Sequence, residues 1–208
     1  MHIWRFSPDH CPSRWRGWNS FELLHVRRYL EAVPGVEVLV LHGPPGSGKT
    51  TLSRAIAEVL RMADMPHAVI DLDDLSNVFP QPRRSFAGEN LQAIWPNYAA
   101  IPHLKVVIPS VIADQLEREQ LRAAMPGARF LVCELTAPES VLKDRVAARE
   151  PNEFWRTRLR ELVDLYHRRT DLPQIRNFQV NTHGCTVDEA AWQVVEKAGW
   201  GSAARQDE

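Results

Sequence analysis

Cysteine is scarce in this chain of 208 residues: Cys11, Cys133 and Cys185 stand far apart and form no C-x-x-C pair. That excludes a disulfide framework, and the three read as free thiols of a reducing compartment. His10 beside Cys11 and His183 near Cys185 come closest to metal ligands, but neither pair has a zinc-type spacing. Long apolar runs are missing too. None approaches the roughly 20 residues that a membrane span needs, and the N-terminal MHIWRFSPDHCPSRWRGW lacks the apolar core of a signal peptide. A cytoplasmic location is therefore expected. There is no excess of either charge: 25 Lys and Arg against 26 Asp and Glu give a formal net charge of −1, which argues against a nucleic-acid partner. Internal repeats and low-complexity tracts are absent.

What the chain does have is ordinary globular material, 44% hydrophobic and 25% charged, enough to bury one core. Apolar runs alternate with stretches of helical period. Strands are expected over 36–42, 67–74, 104–112, 128–135 and 177–182. Helices are expected over 20–35, 49–63, 114–125, 138–149, 153–169 and 186–200, with one more inside 78–103. Strands that are apolar throughout are buried on both faces. The pattern predicts an α/β fold, a three-layer α/β/α sandwich around a five-stranded parallel sheet.

The strongest signal is GPPGSGKT, residues 43 to 50, which fits G-x-x-x-x-G-K-[ST] completely. It leaves an expected strand and opens an expected helix. Gly43, Pro44, Pro45, Gly46, Ser47 and Gly48 would turn backbone N–H groups inward as a nest for anionic oxygens, and the helix adds its positive end. Lys49 would reach the β- and γ-phosphates. The Thr50 hydroxyl would ligate Mg²⁺ and Thr51 would touch the α-phosphate. The turn is built to hold a nucleoside triphosphate with magnesium.

After the second strand, VIDLDDL sets Asp71, Asp73 and Asp74 at the strand's carboxyl end, the edge where open parallel sheets bind ligands. Alternation would point Asp71 and Asp73 the same way if the strand persists that far. A kinase needs a carboxylate there to orient and deprotonate an acceptor hydroxyl; Asp74 could equally cap the next helix.

With the phosphate loop, the D-x-D and the later arginines in view, the chain resembles a P-loop small-molecule kinase over roughly residues 36 to 200. LDDLSNVFP is similar to V-D-S-L-x-x-x-M-P of chloramphenicol phosphotransferase, and the acid pair resembles that of shikimate kinase. Both resemblances imply Asp73 as base and acceptor contact; the second implies Asp71 at the metal. The Gly-Gly-Gly stretch of shikimate kinase has no counterpart here, which argues against shikimate. LKDRVAAREP is similar to L-x-x-R-x-x-x-R of nucleoside monophosphate kinases. That likeness implies Arg145 on the adenine, Arg149 on the phosphates, and a short lid over about 149–160. Asn181, Thr182 and Gly184 would line the adenine pocket. Arg156, Arg158 and Arg160 could pair with nearby glutamates, and Arg168 and Arg169 are expected on the surface.

The stretch of about 76–103 is where such kinases place the acceptor. Arg83, Trp95 and Tyr98 are its candidate contacts, and its aromatics serve equally well as core. Residues 1–35 form an arm and helix outside the resemblance, Trp-rich, which would cover this pocket or mediate a homodimer; 201–208 read as a frayed tail. The third strand ends in Pro109 and Ser110, with Asp114 as a weaker candidate, instead of the Asp-Glu pair with which AAA-type ATPases activate water. The expected function is therefore ATP-dependent transfer to a hydroxyl of a metabolite, nucleoside or antibiotic. A regulatory NTPase and a polynucleotide 5′-kinase are the alternatives.

Overall fold

The computed structural model describes residues 35–201 apart from Gln81 and Arg84. The arm and helix expected over 1–35, save Gly35, lie outside the described residues, as do the tail beyond Gly201, Cys11 and Arg84. Within them, five parallel strands run in the order β2-β3-β1-β4-β5: β1 Glu37–His42, β2 His67–Val69, β3 Lys105–Pro109, β4 Arg129–Thr136 and β5 Phe178–Asn181. The most apolar strand, β1, is central, with Val40 opposite Ile108 on one side and Val132 on the other.

Alternation along β1 divides the core into two faces. Leu39 and Leu41 pack with Val107, Cys133 and Leu135 under two helices, α1 (Lys49–Met62) and α8 (Val187–Lys197). Val38 and Val40 pack with Val106, Ile108 and Val132 under α3 (Phe86–Ala99) and α4 (Gln115–Ala123). Helices thus cover both faces, as the sequence predicted, because strands apolar on both sides leave no face for water.

Local chemistry sets the helix starts. The Asp114 carboxylate accepts from Glu117 N–H at 2.8 Å at the head of α4. Thr186 and Glu189 form a reciprocal capping box at α8. After β4 come α5 (Glu139–Arg149) and α6 (Glu153–His167), which pack on each other. Asn152 caps α6, and Lys143 joins the two helices by pairing with Asp164.

Two short helices depart from expectation. The second strand stops at Val69, although Ile70 N–H still donates to Val107 at 3.0 Å. Asp71 then caps α2 (Leu72–Leu75), accepting the Asp73 N–H at 3.0 Å. So Asp71 and Asp73 do not share a strand face. An acid two residues before a free N–H favours a helix start over continued pairing. The other is α7 (Leu172–Ile175), where Ile175 plugs the β3 side of the core.

Candidate functional site

The phosphate loop links β1 to α1 across the carboxyl edge of the sheet. Gly46 has φ 81°, and a Cβ on it would lie 2.6 Å from the Leu142 carbonyl oxygen, so only glycine fits the close approach to α5. Gly48, with φ 92°, opens α1. No side chain caps this helix and no acid stands in its first turn. Its first N–H groups are left for an anion. The Lys49 ammonium folds back over the loop and donates to the carbonyls of Gly43 at 2.8 Å and Pro44 at 3.2 Å. The Ser47 side chain is buried, with its hydroxyl oxygen unpartnered among the described residues. Thr50 and Thr51 are exposed in the first turn of α1.

Burial lowers the Lys49 ammonium to about 8, and the Arg149 guanidinium adds to the effect; Asp73 and Asp71 oppose it. Arg149, Asp73 and Asp71 thus all lie within electrostatic reach of Lys49, although they come from α5 and the segment after β2. The Asp71 carboxyl is shifted upward, first by burial and then by the neighbouring Asp73 and Asp74 charges.

Beside the loop lies a cavity of about 300 Å³, lined by Gly46, Thr51, Arg145, Arg149, Thr182 and the start of α8. Arg145 donates to the carbonyl of Gly46 at 3.3 Å, the hydroxyl of Thr182 at 3.1 Å and the carbonyl of Thr182 at 2.7 Å. It thereby fixes the loop after β5 against the phosphate loop. Asn181 lies outside the cavity lining; its side chain accepts from His183 N–H at 2.9 Å and shapes the turn.

On the β3 face, the aromatic candidates are engaged by the core. Trp95 is 2% exposed and donates its indole N–H to Pro126 at 3.1 Å. Tyr98, one helical turn on, is half-buried against the same core. Both side chains pack against the β3 face of the core under α3. Arg83 is spent on Glu89 and Ser85 in its own segment. Arg156 donates to the carbonyls of Glu150 at 3.0 Å and Pro151 at 2.8 Å, holding the link between α5 and α6. Ser110 continues the β1 ladder through its N–H to Leu41 at 3.0 Å, and Asp114 is a helix cap.

One buried polar network was missed in the sequence. His42, fully buried at the end of β1, accepts Ile112 N–H at 3.0 Å and packs on Tyr166 at 5.3 Å. Tyr166 donates to the Glu134 carboxylate at 3.1 Å, and Arg176 pairs with the same carboxylate. Arg169, expected on the surface, is largely covered; it donates to Ile112 at 2.7 Å and pairs with Asp171. No periodicity announces these partners, which come from five different segments.

The AAA domain family model matches residues 38–173, from β1 through α7. The chain belongs to that family. A stretch of 73 residues is 42% identical to the 2-aminoethylphosphonate import ATP-binding protein PhnT of Salmonella typhimurium; it covers 35% of this chain and only 18% of that protein. The chain is also similar to the Mycobacterium tuberculosis APS kinase CysC, with TM-score 0.56 at 19% identity over 78% of this chain and 97% of that one. Shikimate kinase from Acinetobacter baumannii superposes with TM-score 0.52 at 18% identity, covering 82% and 95%. These structural likenesses establish the P-loop kinase fold. Among the described residues, no helix is long and apolar enough to cross a membrane.

Proposed function

We propose that the chain transfers the γ-phosphoryl group of ATP to a hydroxyl of a small molecule, with Asp73 as base. The observation that supports the reading is that Asp71 and Asp73, in the segment that follows β2 at the carboxyl edge of the sheet, lie within electrostatic reach of Lys49, and that Asp73 is exposed. The fold shared with APS kinase and shikimate kinase supports the reading, and the ATP-binding name of the PhnT relative supports ATP.

In this reading the open N–H groups of α1 and the Lys49 ammonium hold the phosphates. Arg149, at the end of α5, stabilises charge that builds on the γ-phosphoryl oxygens. Arg145 holds the two loops that frame the base cavity. Residues 149–160, the end of α5, its link and the start of α6, exclude water as a lid. Asp73 accepts the proton of the attacking hydroxyl. Thr50 and Asp71 offer hard oxygen donors for Mg²⁺, and the upward shift of Asp71 beside two further acids fits a site that a cation would relieve. Magnesium there would neutralise phosphate charge. Family membership does not supply a water-activating pair at the end of β3, where Pro109 and Ser110 stand.

The test is label transfer from γ-labelled ATP with Mg²⁺ to pooled hydroxyl compounds. Asp73→Asn is expected to lower transfer by about 10²–10⁴-fold while leaving nucleotide affinity within a few-fold. Slow phosphate release that no acceptor stimulates, indifferent to Asp73→Asn, would favour a regulatory NTPase instead.

A further inference from the structure

α6 is apolar on two sides. Val163 and Tyr166 are buried on its inner side. Its outer side nevertheless carries Phe154, Trp155, Leu162 and Leu165 at 70%, 55%, 37% and 51% exposure. A helix that only covers a domain turns charged and polar residues to water there. Four large apolar side chains exposed on one helix mark a surface that takes a neighbour. Phe154 and Trp155 meet edge-on, with ring centroids 5.3 Å apart.

The order of the residues says which neighbour. Phe154, Arg158, Glu161 and Leu165 follow at steps of four, three and four, so they form one line along the helix. Trp155 and Leu162, each one position further on, flank that line on the same side. The line reads apolar, basic, acidic, apolar. Turned end for end, it keeps its apolar ends and exchanges its charges.

A second α6 laid antiparallel, about a twofold axis between Leu159 and Arg160, sets Phe154 against the partner's Leu165. The same register sets Arg158 against the partner's Glu161. Each contact then occurs twice, as a twofold interface requires. Trp155 and the partner's Leu162 close along one flank. Parallel pairing would instead set Arg158 on the partner's Arg158, and like charges across a seam oppose it. Within one chain Arg158 and Glu161 already pair at 3.0 Å, with both side chains more than half exposed. A guanidinium has five N–H donors and a carboxylate has two acceptor oxygens, so each can serve a second partner.

We infer that α6 is a self-association surface, which pairs antiparallel with α6 of a second copy of this chain, with Arg158 and Glu161 fixing the register. The inference does not depend on the phosphotransfer reading. From Phe154 to Leu165 the seam is about 16 Å long. That is short beside a standard interface, so the dimer is reversible.

The experiment is sedimentation equilibrium of the full chain from low to high micromolar concentration. The unaltered chain is expected to show a monomer–dimer equilibrium. Arg158→Glu and Glu161→Arg should each weaken the dimer by at least about tenfold, since each sets like charges across the seam. Both positions are exposed, so the melting temperatures should stay within a few degrees of the unaltered chain. Mixed in equal amounts, the two variants should associate with each other as strongly as the unaltered chain does with itself. A mixed pair carries two acids on one helix and two bases on the other, which restores opposite charges at both contacts. An unaltered chain that stays monomeric throughout overturns the inference and leaves the stripe to a foreign partner. A dimer that neither charge variant weakens also overturns it, because its interface then lies elsewhere. So does a mixture that associates no more strongly than its components.

Discussion

Arg145 on α5 donates to the Thr182 carbonyl at 2.7 Å and, through its other terminal nitrogen, to the Gly46 carbonyl at 3.3 Å. One guanidinium thus spans the phosphate loop and the loop after β5, two walls of the cavity beside α1. Arg145→Ala is expected to weaken ADP binding about tenfold, equivalent to about 1.4 kcal/mol. Arg145→Lys should recover only part, because a single ammonium cannot reproduce the planar fork. Calorimetric titration of the three proteins decides it, and unchanged affinity in the alanine variant would show that the loops hold without the bridge.

Lys49 gives the phosphate site a pH dependence. Its ammonium loses its proton near 8 in the folded chain, because burial and Arg149 disfavour the charge. Phosphates favour the charged form, so binding takes up a proton above that pH. ADP affinity should fall as pH rises from 8 to 9.5, by up to about tenfold per pH unit. The nucleotide-free protein behaves oppositely: its unfolded chain holds the Lys49 proton up to about 10.5, so this group's contribution to stability rises with pH between 8 and 10.5. Lys49→Gln should bind weakly with a flat pH profile.

Much of this site was legible before the fold was known. The phosphate loop needs a turn of fixed length between an apolar strand and a helix, and both neighbours are visible in the sequence around residues 43–50. The segment after β2 was less readable. VIDLDD looks like a strand ending in acids, and only the hydrogen bond from Asp73 N–H to Asp71 shows that the second half is a helix start. Trp95 and Tyr98, three apart, mark one face of a helix, but a sequence does not say whether that face meets a ligand or a sheet. The His42 network was invisible because Arg176 and Glu134 lie 42 positions apart. Lone charged residues carry no period.

Trp95 separates core from acceptor contact. At 2% exposure, with its indole N–H on Pro126, its truncation opens a cavity under α3. Trp95→Ala should cost about 3–5 kcal/mol of unfolding free energy. Trp95→Phe, which keeps one aromatic ring but loses indole volume and the hydrogen bond to Pro126, should cost less than the alanine variant and more than the roughly 1 kcal/mol of the bond alone. Denaturant titration measures both. A stable alanine variant with impaired transfer would return Trp95 to the acceptor site.

The Glu134 carboxylate, 2% exposed, holds Tyr166 and Arg176 together. Removing only the cation strands a buried charge. Arg176→Met should therefore destabilise by about 3–5 kcal/mol. The double variant Arg176→Met with Glu134→Leu should be the more stable of the two, since it removes the orphaned carboxylate along with its partner. Equal losses in both variants would mean that the stability resides in side-chain packing and not in the charge pair.

His42 predicts an acid limit to folding. Burial, followed by the charges of Arg169 and Lys49, lowers its imidazole to about 3. The hydrogen bond agrees: Ile112 N–H donates to Nδ1 at 3.0 Å, so a second proton would set donor against donor. The unfolded chain takes up that proton near 6.5. A depressed folded value means that the stabilising contribution is complete above pH 6.5 and is lost progressively as pH falls toward 3. Between pH 6.5 and 5 the loss is on the order of 2 kcal/mol, at about 1.4 kcal/mol per pH unit. His42→Gln removes the titration while keeping an acceptor for Ile112. Its stability should start lower at pH 7 and fall less steeply on acidification, as read from urea unfolding at pH 7, 6 and 5. Parallel slopes for the two proteins would place the acid sensitivity in other groups.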